Sequence, residues 1–197
     1  MELFDSHAHY NDEKFKDDKE EILQAIYKEG ITKLICAGYS LEASKKAVQI
    51  ANEHQSIYAI VGISPNDIPN QKEQYEEILN QQLQQIQELA KQEKVVAIGE
   101  IGLDYYWNKE NKQEQKLAFQ KQIEIANQLD LPIVIHTREA VYDTLEILKG
   151  EITPVKKGIF HCCPLNLDLI REGLKLGFYI SFAGPVTFKN AKNAEEA

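Results

Sequence analysis

Short apolar runs alternate along the chain with longer stretches in which apolar residues recur at helical spacing. The stretch DDKEEILQAIYKEG, for example, places Ile22, Ala25 and Ile26 on one face and stops at Gly30, which predicts an amphipathic helix. Ser40 begins a further stretch of this kind as a candidate N-cap. The short runs have the composition of strands. They cover residues 3–9, 33–38, 57–63, 95–101, 132–136, 157–162 and 178–182.

Strand followed by helix, repeated along the whole chain, predicts an α/β protein with a parallel sheet. No glycine-rich phosphate loop follows the first run, so the pattern disfavours a dinucleotide-binding fold and favours a TIM-type (β/α)8 barrel. Such barrels have eight strands and about 250 residues. Because this chain has 197 residues, we expect an incomplete barrel of about seven strands, with the eighth strand missing, in a single domain over residues 1–197.

Composition narrows the class of protein. A net charge of -9 argues against a protein that coats nucleic acid by charge alone, but it leaves room for a nuclease that uses metal ions. The chain contains neither a membrane-length apolar run nor a start shaped like a signal peptide. Three cysteines, two of them adjacent, do not suggest a disulfide framework. We therefore expect a cytoplasmic protein that makes no contact with a membrane.

Histidines mark the ends of the predicted strands. His7 and His9 close the first run two residues apart, so their rings lie on one face and can bind one metal ion, with Asp5 in reach of one ring. Glu100, His136 and His161 end later runs. A single histidine in such a place is more often structural, but the carboxyl ends of barrel strands are where active sites form. Together these residues predict a metal site.

The segments DSHAH, GEIGLDYYW, IHTRE and FHC resemble, in order, the motifs of the TatD-related DNases, a branch of the amidohydrolase-like metal hydrolases. The resemblance implies a (β/α)8 barrel and a deoxyribonuclease that requires divalent metal ions and hydrolyses phosphodiester bonds. It implies that His7 and His9 bind one ion, that His136 and His161 bind a second, and that Glu100 bridges the two. The ions would be Mg²⁺, Mn²⁺ or Zn²⁺, and the substrate single-stranded DNA or 3′ ends.

Other residues near these motifs have two interpretations each. Arg138 can hold a substrate phosphate or pair with Glu139. Ser64 stands where the family commonly has a histidine before proline, and it can bind phosphate or belong to a turn. Tyr105, Tyr106 and Trp107 can stack on bases or form a packed lid. Cys162 and Cys163 can be soft metal ligands or, as we expect, buried small residues.

The family also places a metal-binding aspartate at the end of its eighth strand, in a part that this sequence does not contain. Two other functions therefore stay open beside DNA cleavage. One is a hydrolase of another phosphoester, a lactone or an amide on the same barrel, and the other is a metal-binding protein without catalysis. An open barrel would also expose a sheet edge, which a second copy of the chain could cover.

Overall fold

The computed structural model describes residues 2–189 together with residues 191 and 194. Strands and helices alternate through this part of the chain. The strands are β1 (Leu3–Ala8), β2 (Ile31–Ala37), β3 (Ile57–Val61), β4 (Val95–Asp104), β5 (Ile133–Arg138), β6 (Ile159–Phe160) and β7 (Tyr179–Ile180). The α-helices are α1 (Lys19–Lys28), α2 (Leu41–Glu53), α3 (Tyr75–Leu89), α4 (Lys112–Gln128), α5 (Val141–Lys149) and α6 (Leu167–Lys175).

All seven strands belong to one parallel sheet, and their order in the sheet is their order in the chain. An α-helix follows each strand from β1 to β6, which is the arrangement of a (β/α)8 barrel. Within the described residues no ladder joins β7 to β1, so the barrel is incomplete. The predicted fold class is therefore confirmed. That a second copy covers the open edge stays a prediction.

The sheet has an apolar cluster on each face, because the side chains of a strand point alternately to one face and the other. In β2, Leu34 and Cys36 belong to the large cluster that the helices cover. Ile35 and Ala37, which lie two residues apart in β2, belong to a smaller cluster that also contains Ile60 and Val134. The smaller cluster therefore lies on the other face of the sheet, which is the inner face of the barrel.

Helix α2 begins where the sequence predicts. The side chain of Ser40 accepts a hydrogen bond from the backbone N–H of Ala43 at 3.2 Å and so caps α2, as expected. The face of α2 that carries Ala47 and Ala51 is fully buried against the sheet. Among the described residues, none of the helices is long and apolar enough to cross a membrane.

The last strands are shorter than predicted. β6 and β7 pair over only two residues each, whereas the apolar runs cover 157–162 and 178–182. The chain leaves the β6 ladder at His161, and Cys162 then adopts a φ of 41°, which no strand accommodates. β4, by contrast, extends past the predicted end at residue 101, because Asp104 still pairs with Arg138 of β5.

Candidate metal centre

Five side chains from four strand ends converge on one point of the inner rim. His7 lies in β1, Glu100 in β4 and His136 in β5, while His9 and His161 directly follow β1 and β6. Their ligand atoms form two groups, each with all atoms within 4.8 Å of one another. The first group contains His7, His9 and Glu100, and the second contains Glu100, His136 and His161. The structure thus brings together every residue that the sequence assigns to metal binding.

A local irregularity in β4 aims Glu100 into the rim. Ile98 pairs with Ile133 and Ile101 pairs with Ile135. Between these two pairs β4 contains one more residue than β5, so β4 forms a bulge. Across the sheet, the backbone N–H of Glu100 donates to the carbonyl of Gly38 in the segment after β2, at 2.8 Å. The bulged backbone thus turns the Glu100 side chain toward the histidines.

Close backbone packing beside the bulge requires glycine. Gly102 has a φ of 140°, and a Cβ there would lie 2.0 Å from the carbonyl oxygen of His136. A Cβ on Gly99 would lie 2.7 Å from the Cβ of Val134. These two glycines let β4 and β5 approach closely, and this proximity sets Glu100 and His136 side by side.

Glu100 divides its carboxylate between the two groups. Its Oε2 lies 3.4 Å from His7 Nε2 and 3.6 Å from His9 Nε2. Its Oε1 lies 2.9 Å from His136 Nδ1 and 3.0 Å from His161 Nε2. The stacked rings of His7 and His161, with centroids 3.9 Å apart, keep the two groups adjacent. One buried carboxylate therefore faces four imidazoles.

In the first group the backbone orients the ring of His9. Its Nδ1 lies 3.1 Å from the carbonyl oxygen of Ala37, to which it donates, so in neutral His9 the Nε2 is free to bind a cation. The prediction that Asp5 holds a histidine ring is wrong: Asp5 accepts from the backbone N–H of His7 at 3.1 Å instead. The reason is the bulge in β1 between Asp5 and Ala8, which brings the carboxylate to the main chain.

In the second group a carboxylate orients the ring of His136. Asp104 Oδ2 lies 2.9 Å from His136 Nε2, and Asp104 is completely buried. The side-chain amide of Asn66 donates to the same oxygen at 3.2 Å. The pairing of Asp104 with His136 is not evident from the sequence. The available signal was spacing, since Asp104 stands four residues after Glu100 on the same strand and therefore on the same face.

The two groups differ in proton affinity. Burial lowers the pKa of His7 and His9, and for His9 the charge of His7 lowers it further. Burial also acts to lower the pKa of His136, but hydrogen bonds to Asp104 and Glu100 outweigh it and raise that pKa to about 9. Glu100 shows the reverse balance. Burial favours its protonation, yet hydrogen bonds from His136, His161 and His7 hold its pKa well below the usual range.

The donor atoms suit transition-metal ions. Imidazole nitrogens bind Zn²⁺, Fe²⁺ and Ni²⁺ well, and a carboxylate completes many such sites. The 3.2 Å separation of the Nε2 atoms of His7 and His9 points two potential ligands at one place. His7 Nδ1 is buried and has no hydrogen-bond partner among the described residues. Four nitrogens around one buried carboxylate therefore fit a site for divalent cations.

The centre opens into a cleft of about 550 Å³. Arg138 lines this cleft, and its guanidinium lies 3.8 Å above the ring of Tyr106. Glu139 pairs with Lys109 at 3.4 Å. The opposite wall is apolar and comes from the segment after β7. It includes Phe182, Val186 and Phe188.

The three aromatic residues after Asp104 have different environments. Tyr105 is buried and donates a hydrogen bond to Asp143 at 2.6 Å, so it is not available for base stacking and that interpretation is wrong for this residue. Tyr106 and Trp107 are 46% and 68% exposed. Only these two can present a ring to a ligand.

Ser64 and the cysteines complete the rim. The Ser64 hydroxyl donates to Asp67 at 2.6 Å and accepts from the backbone N–H of Asn66, which is the hydrogen bonding of a turn. Cys163 is buried, as expected. Cys162 is exposed and lines the cleft, contrary to the expectation that both are buried, because its left-handed backbone turns the side chain outward.

The chain has the curled parallel sheet of an incomplete (β/α)8 barrel, with histidines and a shared carboxylate at the carboxyl ends of its strands. This combination is typical of metal-dependent hydrolases with a barrel fold. The family model for TatD related DNase matches residues 4–197, nearly the whole chain. The chain therefore belongs to the TatD related DNase family.

Three similar proteins illustrate this relationship. An uncharacterized metal-dependent hydrolase YabD of Bacillus subtilis is 41% identical over 98% of this chain and 73% of its own length. The 3′-5′ ssDNA/RNA exonuclease TatD of Citrobacter koseri is 28% identical over 92% of this chain and 67% of its own length. The crystal structure of YjjV, a TatD homolog from Escherichia coli, superimposes with a TM-score of 0.87 at 27% identity, covering 98% of this chain and 73% of that one.

Proposed function

We propose that this metal-dependent hydrolase cleaves phosphodiester bonds of DNA through a site that holds two divalent ions. The observation that carries the proposal is the division of the Glu100 carboxylate, with Oε2 facing His7 and His9 and Oε1 facing the other two histidines. Residues 1–197 would form the single domain that bears this site. The four imidazoles favour Zn²⁺ or another transition-metal ion over Mg²⁺, which prefers oxygen ligands.

A pair of divalent ions supplies Lewis acidity for a phosphoryl oxygen and makes water a better nucleophile. The residues of the chain set up this chemistry. His7 and His9 would hold one ion, and His136 and His161 the other. Glu100, buried and ionised, supplies the negative charge that lets two cations lie close together.

Residues at the mouth of the cleft would hold the substrate. Arg138 is exposed and its guanidinium, stacked on Tyr106, can direct N–H donors at a phosphate. Trp107, 68% exposed beside it, offers a face on which a base can stack. Stacking is possible where bases are unpaired, so we propose single-stranded DNA or a free 3′ end as the substrate. The positively charged centre would attract this anion despite the net charge of -9 of the chain.

The test is hydrolysis by the purified chain with Zn²⁺, Mn²⁺ or Mg²⁺. Single-stranded DNA labelled at the 3′ or the 5′ end reports cleavage and its direction, while nitrophenyl esters of phosphoric and carboxylic acids report other hydrolases. We expect metal-dependent DNA cleavage that Glu100→Ala abolishes and that Glu42→Ala, on the exposed face of α2, leaves unchanged. Hydrolysis of esters without DNA cleavage would favour another hydrolase, and metal binding without turnover would favour a non-catalytic protein.

A further inference from the structure

We propose that Asp104 is a positioning residue that keeps the proton of His136 on Nε2 and so presents a bare Nδ1 to the second group. The inference rests on the proposed metal site. It concerns neither a ligand nor a reacting group, because Asp104 contacts the second group only through His136. Its consequence is specific: His136 binds its ion through Nδ1, whereas His7, His9 and His161 face the centre with Nε2.

The direction of the hydrogen bond follows from the chemistry of the carboxylate. An ionised carboxylate can only accept, so the 2.9 Å contact of Asp104 Oδ2 with His136 Nε2 requires the proton to be on Nε2. Neutral imidazole carries one proton. When His136 binds a cation as a neutral imidazole, the proton that leaves is therefore the one on Nδ1, which lies 2.9 Å from Glu100 Oε1 and 3.4 Å from His161 Nε2. The nitrogen freed in this way is the one that faces the carboxylate shared by both groups.

Hydrogen bonds to the other side-chain oxygen and to the backbone hold Asp104 in this orientation. Its other oxygen, Oδ1, accepts the backbone N–H groups of Tyr106 at 3.0 Å and Trp107 at 3.1 Å. Gln115, which is fully buried, binds the backbone of Asp104 on both sides, accepting from its N–H at 2.8 Å and donating to its carbonyl at 3.0 Å. The carboxylate is thus fixed by the β4–α4 loop on one side, and the remaining oxygen has a single orientation toward His136.

Replacement of Asp104 by asparagine keeps the shape and changes the proton. The two backbone N–H groups need an acceptor, so the amide oxygen of the new side chain would occupy the Oδ1 position. Its NH2 group would then face His136 Nε2 as a donor, while the Asn66 amide can turn to offer its oxygen. A donor at this place forces His136 into the other tautomer, with the proton on the nitrogen that faces Glu100.

The experiment compares zinc affinity, measured by competition with a chelator, in the full chain and in Asp104→Asn. We expect zinc binding in the second group to weaken about 10- to 100-fold, the range found when a partner behind a metal-binding histidine is lost. Asp17→Asn, in an exposed turn before α1, removes the same charge and should leave the affinity unchanged. If Asp104→Asn folds, as circular dichroism shows, and binds zinc as the wild type does, the inference is overturned while the metal site stands.

A second measurement needs no variant. In the zinc-loaded wild type, ¹⁵N–¹H correlation spectra of the histidine rings should show His136 protonated at Nε2 and the other ligands protonated at Nδ1. A proton on Nδ1 of His136 would overturn the inference even if zinc binds tightly. Absence of any zinc binding by the wild type would overturn the proposed function and this inference together.

Discussion

The two halves of the centre use the same residue types but are supported differently. In the first half a backbone carbonyl, that of Ala37, holds His9, and burial keeps both imidazoles weakly basic. In the second half a buried carboxylate, Asp104, holds His136 and raises its pKa to about 9. Glu100 belongs to both halves. The difference shows that the surroundings of each histidine, and not the residue type alone, set its affinity for protons.

The two halves should therefore differ in how their affinity for metal ions depends on pH. A carboxylate behind a metal-binding imidazole makes that imidazole a stronger donor, whereas a neutral carbonyl does so less. At neutral pH, however, the more basic His136 would have to give up a proton before it could bind an ion. The second half therefore should gain more from rising pH than the first, whose histidines are already neutral.

The largest effect should come from the residue that the halves share. We expect Glu100→Gln to remove metal from both halves and His136→Ala from the second half alone, so that metal content per chain after dialysis separates them. Each loss of affinity should exceed about a hundredfold, because even a partner behind a ligand contributes 10- to 100-fold. Equal metal content in the two variants would show that the halves are not independent.

The second effect is on stability in the metal-free chain. His136, with a folded pKa raised to about 9, contributes stability that is fully present below its unfolded pKa of about 6.5 and is lost as pH rises through 9. His7 and His9 have lowered pKa values, so they reduce stability when pH falls below about 6.5. Stability should therefore be greatest near neutral pH.

Urea unfolding with EDTA at pH 6.5 and pH 9 measures this difference. We expect the free energy of unfolding to fall by about 2–3 kcal/mol between pH 6.5 and pH 9. His136→Gln should flatten this limb, while His54→Gln, at the end of α2 away from the centre, should not. A limb that stays equally steep in His136→Gln would mean that another group carries the proton.

The smallest effect should come from Arg138, which lies two residues after His136. Lysine keeps the charge but loses the planar fork that stacks on Tyr106. We expect Arg138→Lys to raise the KM for DNA about threefold to tenfold, equivalent to about 1 kcal/mol, with kcat nearly unchanged. Steady-state kinetics beside Lys109→Arg, a matched exchange on the exposed loop, would check this. A fall in kcat alone would place Arg138 closer to the reacting bond.

Much of the fold could be predicted from periodicity. The alternation of strands and helices and the cap at Ser40 are local features, and local sequence determines them. Strand ends were less predictable. β6 ends at Phe160 because Cys162 leaves the extended region, and no pattern of apolar residues signals this change of backbone.

The candidate site, like the fold, could be predicted from the sequence only in part. Four histidines and one glutamate at strand ends identified the five residues of the centre, because parallel strands of a barrel bring their carboxyl ends to one rim. Asp5, Tyr105 and Cys162 were misjudged, since each depends on a bulge, a distant partner or an unusual φ. Asp104 received no role from the sequence, because its partners, His136 and Asn66, are 32 and 38 residues away.

The sequence by itself therefore determined the α/β class, the order of the strands, the family and the set of histidines around Glu100. Only the tertiary structure decided which oxygen of Glu100 faces which pair of histidines and which nitrogen of each ring points to the centre. It also decided which carboxylate accepts the hydrogen bond from His136 Nε2. The physical reason is range. Periodicity and spacing act within one element, whereas hydrogen-bond direction and proton affinity depend on groups that folding brings together from separate strands.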